Sequence, residues 1–142
     1  MALIKERFKT KADGVAAEIK ELLKEHGNKK IGEVTLSQIY QGMRGITGLV
    51  SETSLLDAQE GIRFRGYSIP DLQQKLPKAN LKSGRGTEPL PEGLFHLMLL
   101  GELPSEEDVH DITANWQRRS HVPNHVFAAI EALPKDSHPM TQ

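Results

Sequence analysis

Six histidines, no cysteine and a cluster of glycines around one arginine are the features of this 142-residue sequence that could do chemistry. His121 and His125 stand four apart, the spacing at which two imidazoles share a helix face and can grip one metal ion. Pro123 interrupts such a helix, and no carboxylate takes the place a metallohydrolase needs, so exposed loop histidines are the plainer reading. His96 lies inside the otherwise apolar run Leu94–Leu100 and reads as a packed histidine with one satisfied hydrogen bond. The lack of cysteine excludes disulfides, thiolate nucleophiles and Cys-ligated zinc or iron–sulfur sites. No Gly-x-Ser-x-Gly elbow is present, and Gly84-Arg85-Gly86 is not followed by the Lys-Ser/Thr of a phosphate-binding loop. Gly42, Gly45 and Gly48 recur every three residues, which is not the dinucleotide fingerprint. Arg44 stands apart. It sits among those glycines, where the backbone can approach a ligand closely, and a guanidinium presented there can fork onto a phosphate. It can equally bond nearby carbonyls. Arg63 and Arg65 alternate with Ile62 and Phe64 and read as a solvated or ion-paired strand face.

The elements that must position these groups are mostly helical. Val15, Ile19, Leu22 and Leu23 recur on one helix face, which predicts a helix over 3–26, with Gly27 available for a left-handed stop and Gly14 weakening its continuity. Lys30–Thr35 reads as a short strand and Leu36–Tyr40 as a turn of helix. A β-hairpin is expected over about 49–65, closed by the loop Asp57–Gly61. Ser68-Ile69-Pro70-Asp71 is a capping box with Pro in the first turn, opening a helix over about 69–76 that Pro77 ends. Lys78–Glu88 reads as an exposed loop. Helices follow over about 91–100, apolar all round and so suited to a core, over 105–120 with Val109, Ile112 and Trp116 on its stripe, and over 124–133. Asp136-Ser137-His138-Pro139-Met140 is a further helix start with almost no chain behind it, an expectation of a chain truncated at its C-terminus.

Composition bounds the function classes. Eighteen basic residues balance nineteen acidic ones, for a net charge of −1, which argues against the basic face that nucleic acids require. Hydrophobic content of 37% and charged content of 26% are those of an ordinary globular domain. No apolar run approaches the roughly 18–20 residues of a membrane span. The start, Met1 to Arg7, has no signal-peptide h-region.

In order along the chain, Glu25-His26-Gly27-Asn28-Lys29, Ile31-Gly32-Glu33-Val34-Thr35, Tyr40-Gln41-Gly42-Met43-Arg44-Gly45, Glu60-Gly61-Ile62-Arg63-Phe64-Arg65-Gly66-Tyr67-Ser68-Ile69-Pro70, Glu88-Pro89-Leu90-Pro91-Glu92-Gly93-Leu94-Phe95 and His138-Pro139-Met140-Thr141-Gln142 resemble the opening third of citrate synthases of the type found in mitochondria and some bacteria. The resemblance covers essentially the whole chain. It implies a mainly α fold, the N-terminal helical part of the large domain (residues 1–142) with one small β-hairpin. The implied activity of the full-length parent is condensation of acetyl-CoA with oxaloacetate to citrate and free CoA, in a homodimer. No permanently bound cofactor, metal, nucleic acid or membrane is implied.

The family's two catalytic histidines and aspartate have no counterparts here: none of the six histidines stands in a Pro-Leu-His-Gly or Gly-Tyr-Gly-His setting. The isolated chain is therefore expected to be inactive. One functional position carries over. Arg44 matches an arginine that contacts the CoA phosphates. His96 stands where tryptophan is common, which fits packing better than chemistry, and the loop 82–87 looks slightly longer than usual. The start without a transit segment favours a bacterial cytoplasm, with the mitochondrial matrix as the alternative. A stand-alone, non-catalytic CoA-binding or assembly module is the other reading.

Overall fold

A computed structural model describes residues 2–79 and 86–140. The first helix, α1 (Ala2–His26), runs through Gly14 without a break, and α2 (Leu36–Tyr40) follows after an irregular stretch. Three short strands, β1 (Ser54–Asp57), β2 (Gly61–Phe64) and β3 (Tyr67–Ser68), form an antiparallel meander in the order β1-β2-β3. Four helices complete the described chain: α3 (Ile69–Lys75), α4 (Pro91–Leu100), α5 (Glu106–Arg119) and α6 (Asn124–Glu131).

Several expectations change. Residues 30–35 form no strand; Thr35 instead caps α2. Residues 49–53 are also outside any strand, so the hairpin expected over 49–65 begins at Ser54 and gains a third strand. That third strand exists because Arg65 and Gly66 both take left-handed φ, +48° and +86°, forming the two-residue turn whose twist suits a hairpin. Phe64 then pairs with Tyr67. Gly27 is not left-handed as expected; its amide bonds the Leu23 carbonyl at 2.9 Å, and an added Cβ would stand 2.4 Å from that oxygen, so glycine is required there for space. Residues 136–140 are turn and bend rather than helix. Most of the loop 82–87 lies outside the described residues.

Local chemistry explains the helix ends. Ser68–Asp71 and Ser105–Asp108 each form reciprocal capping boxes at the starts of α3 and α5. Pro91 sits at the start of α4, where its missing N–H costs nothing, and Gly101 ends that helix at φ +72°. The core lies where α3, the sheet, α4 and α5 meet. Leu72, Leu76, Leu97, Leu100, Val109 and Ile112 are buried, with Phe64, Tyr67 and Leu94 packed against Leu72, Leu76 and Leu97. The α4 helix buries one face only: Phe95 is 38% exposed and meets Trp116 edge-to-face at 5.1 Å.

Arg65 ties sheet to helix. Its Nε and Nη2 donate to the Met98 carbonyl at 3.2 and 2.9 Å, satisfying one of the carbonyls a helix C-terminus leaves open. Arg63 pairs with Glu60 at 2.9 Å. Arg63 is thus ion-paired, as expected of a basic strand face, whereas Arg65 lies in the turn after β2 rather than on that face.

Candidate functional site

The loop carrying Arg44 is built entirely from local interactions. Thr35 opens α2: its hydroxyl accepts from the Gln38 amide at 3.3 Å, while the Gln38 side-chain oxygen accepts from the Thr35 amide at 2.9 Å. After one turn and a half the helix closes in a Schellman motif. Met43 N–H donates to the Gln38 carbonyl at 2.8 Å and Gly42 N–H to the Ile39 carbonyl at 3.3 Å. Gly42 is the left-handed residue this motif demands, at φ +76°. Met43 follows at φ +59° and Gly45 at φ +73°. A methionine in that region is uncommon, and here it flanks the arginine. Arg44 is exposed, and its carbonyl accepts from Gln38 Nε2 at 3.5 Å. The reversals on both sides of Arg44 project it from a tight knuckle of backbone, a geometry that leaves the guanidinium open to an anion.

The histidines do not assemble. His121 lies in an irregular segment and His125 near the start of α6, both exposed. Among the described residues no three or more of His, Asp and Glu stand together as a metal site. His138 Nδ1 accepts from the Met140 amide at 3.1 Å.

His96 is buried as expected, at 1% exposure, but its surroundings were not legible in the sequence. It packs beside a small cavity of about 30 Å³ lined among others by Arg7, Asp108, Asn115 and Trp116. Its Nδ1 lies 3.2 Å from the Glu102 carbonyl, and its Nε2 lies 3.8 Å from Asp108 Oδ1. Arg7 reaches from α1 to pair with Glu102 and, at 2.8 Å, with Asp108. The Asp108 carboxyl titrates below the ordinary aspartate range. Burial opposes this, but bonds from the Ser105 amide and hydroxyl outweigh it, helped by the electrostatic influence of the neighbouring His96 and Arg7. This cluster fastens α1 to α4 and α5. The only sequence signal for it was Asp108 three residues after Ser105; nothing in the sequence around Arg7 announced it.

A sequence model of the family described as "Citrate synthase, C-terminal domain" matches residues 42–142. The chain is 52% identical over 139 residues to "Citrate synthase, mitochondrial" of Saccharomyces cerevisiae, covering 98% of this chain and 28% of that protein. It is also 52% identical over 139 residues to "2-methylcitrate synthase, mitochondrial" of Yarrowia lipolytica, covering 98% and 29%. Against "Citrate synthase, mitochondrial" of Xiphias gladius it is 48% identical over 124 residues, covering 87% and 26%. The chain spans less than a third of the length of these curated relatives. With a match of this extent, together with the mainly helical architecture, the chain belongs to the citrate synthase family.

Proposed function

We propose that this chain supplies the N-terminal part of the large domain of a citrate synthase, and that the complete protein condenses acetyl-CoA with oxaloacetate to citrate and CoA. The observation that carries this reading is the 52% identity that runs through 98% of the chain. The order of the quoted motifs supports the N-terminal assignment, whereas the matching family model is described as a C-terminal domain; aligning the chain along a complete synthase separates the two. The 142 residues alone are expected to release no CoA from acetyl-CoA and oxaloacetate, because no histidine here takes a catalytic setting of the family and acid–base chemistry needs positioned groups. Oxaloacetate-dependent CoA release by the purified chain, above a heat-killed control, would overturn that.

In this reading Arg44 holds the CoA phosphates. A planar guanidinium offers two parallel N–H donors to a phosphate, and exposure at a glycine-flanked knuckle gives the ligand access. In the complete synthase, Arg44→Ala is expected to weaken acetyl-CoA binding by about 1.5–3 kcal/mol, the scale of a charged hydrogen bond. Unchanged affinity by calorimetry removes Arg44 from the site.

The equal identity to a 2-methylcitrate synthase favours one second reading, a longer acyl donor. Parallel assays with acetyl-CoA and propionyl-CoA decide between them. The exposed apolar residues of α1, among them Ile19 at 49%, Leu22 at 57% and Leu23 at 61%, support a surface that further chain or a second subunit covers, in keeping with a homodimer; sedimentation of the complete protein tests this. The relatives named as mitochondrial support a mitochondrial compartment over a bacterial cytoplasm, which fractionation of the source cells checks.

A further inference from the structure

Gln38 bonds both ends of the turn that presents Arg44. Its side-chain oxygen accepts from the Thr35 amide at 2.9 Å and stands 3.1 Å from the Thr35 hydroxyl. Its main-chain carbonyl accepts from Met43 at 2.8 Å. Its Nε2 donates to the Arg44 carbonyl at 3.5 Å and is the nearest atom, at 3.9 Å, to the point where a Cβ on Gly45 would sit. Gln38 is half-buried in a segment whose other residues, from Leu36 to Gly45, are exposed.

The geometry points to Gln38 as the positioning residue for Arg44. This inference rests on the reading of Arg44 as a phosphate ligand. The turn has no core beneath it, so its shape depends on the hydrogen bonds that close it. One primary amide acts at both ends: the oxygen completes the cap of α2, and the nitrogen holds the Arg44 peptide against the helix it has just left. With that peptide held, the arginine starts from a defined backbone point and loses less freedom when it meets a phosphate. Only an amide does both jobs, since a carboxylate accepts but does not donate.

Gln38→Glu, read at high ionic strength where the added carboxylate is screened, therefore separates the roles. Glutamate serves as well as glutamine in a capping box, so α2 keeps its cap while the bond to the Arg44 carbonyl is lost. In the complete synthase, Gln38→Glu is expected to raise KM for acetyl-CoA roughly two- to tenfold, the worth of one neutral hydrogen bond, with kcat, KM for oxaloacetate and Tm unchanged. Gln38→Ala should raise KM for acetyl-CoA similarly and also loosen α2, read as faster amide exchange at Gln38 and Ile39. Should Arg44→Ala raise KM for acetyl-CoA while Gln38→Glu leaves it alone, the positioning role is overturned and the phosphate reading stands. A fall in Tm or an equal rise in both KM values with Gln38→Glu would mark a merely structural residue and likewise overturn it. No effect of Arg44→Ala ends both.

Discussion

Leu97 has no exposed surface, whereas Val50 is 85% exposed and Leu49 is 84% exposed. The contrast extends to whole regions. Residues 54–79 and 86–119 form the sheet, α3, α4 and α5 around an apolar core, and a charged cluster and Arg65 lock their edges. Residues 27–53 carry Ile31, Val34, Leu36, Ile39 and Tyr40 with half or more of each exposed. Their order comes from caps and turns between near neighbours. The residue with the best claim to a ligand lies in the second region. Binding groups on loops held by local bonds are common, and such segments open at lower free energy than the core.

The comparison breaks most visibly at Leu97. Leu97→Ala removes a fully buried side chain and should cost about 2–5 kcal/mol, read as a fall in the urea midpoint; a loss below 1 kcal/mol would mean the packed region is not held by its core. Next comes Arg65→Ala, which uncaps the Met98 carbonyl and unpins the sheet from α4. A loss of about 1.5–3 kcal/mol is expected, and double-mutant analysis with Leu97→Ala should find the two coupled, because both act on α4. Gly42→Ala forces a side chain into the left-handed region at about 1 kcal/mol. Its effect should stay local: faster amide exchange at Met43, whose N–H closes the Schellman turn, with the urea midpoint unmoved. A global loss instead would show that residues 27–53 share the core's cooperativity.

The smallest effect is on pH dependence. Asp71 and Asp108 are both held below the ordinary aspartate range. For Asp71 the hydroxyl and amide of Ser68 do this; for Asp108 the bonds from Ser105 overcome burial. A depressed carboxylate contributes stability that is complete above its unfolded pKa, near 3.9, and is lost as pH falls through the folded value. The share of stability from these two carboxylates should therefore be flat from neutral pH to about pH 5 and decline below about pH 4, and Ser105→Ala should shrink the Asp108 part of that decline.

The sequence alone determined much of the local structure, because the signals are themselves local. Ser68 with Asp71, Pro91 before an apolar run and the glycine-flanked Arg44 each declare a cap, a start or a knuckle through interactions spanning three to six residues. Motif order likewise sufficed to place the chain in its family. Where a segment's fate depended on distant partners, the sequence misled or was silent. Lys30–Thr35 has strand-like residues but no neighbouring strand to pair with, so its backbone stays irregular and Thr35 caps a helix instead. Arg7 and Asp108 are 101 residues apart along the chain, and nothing in either neighbourhood announces that they pair above His96. Arg65 looked like an ordinary strand cation, yet its left-handed backbone turns it onto the end of α4, 33 residues away. Caps and turns follow from hydrogen bonds a short segment can make by itself. Which charged side chains meet, and which apolar faces are covered, was decided only when helices and sheet packed together and removed those groups from water.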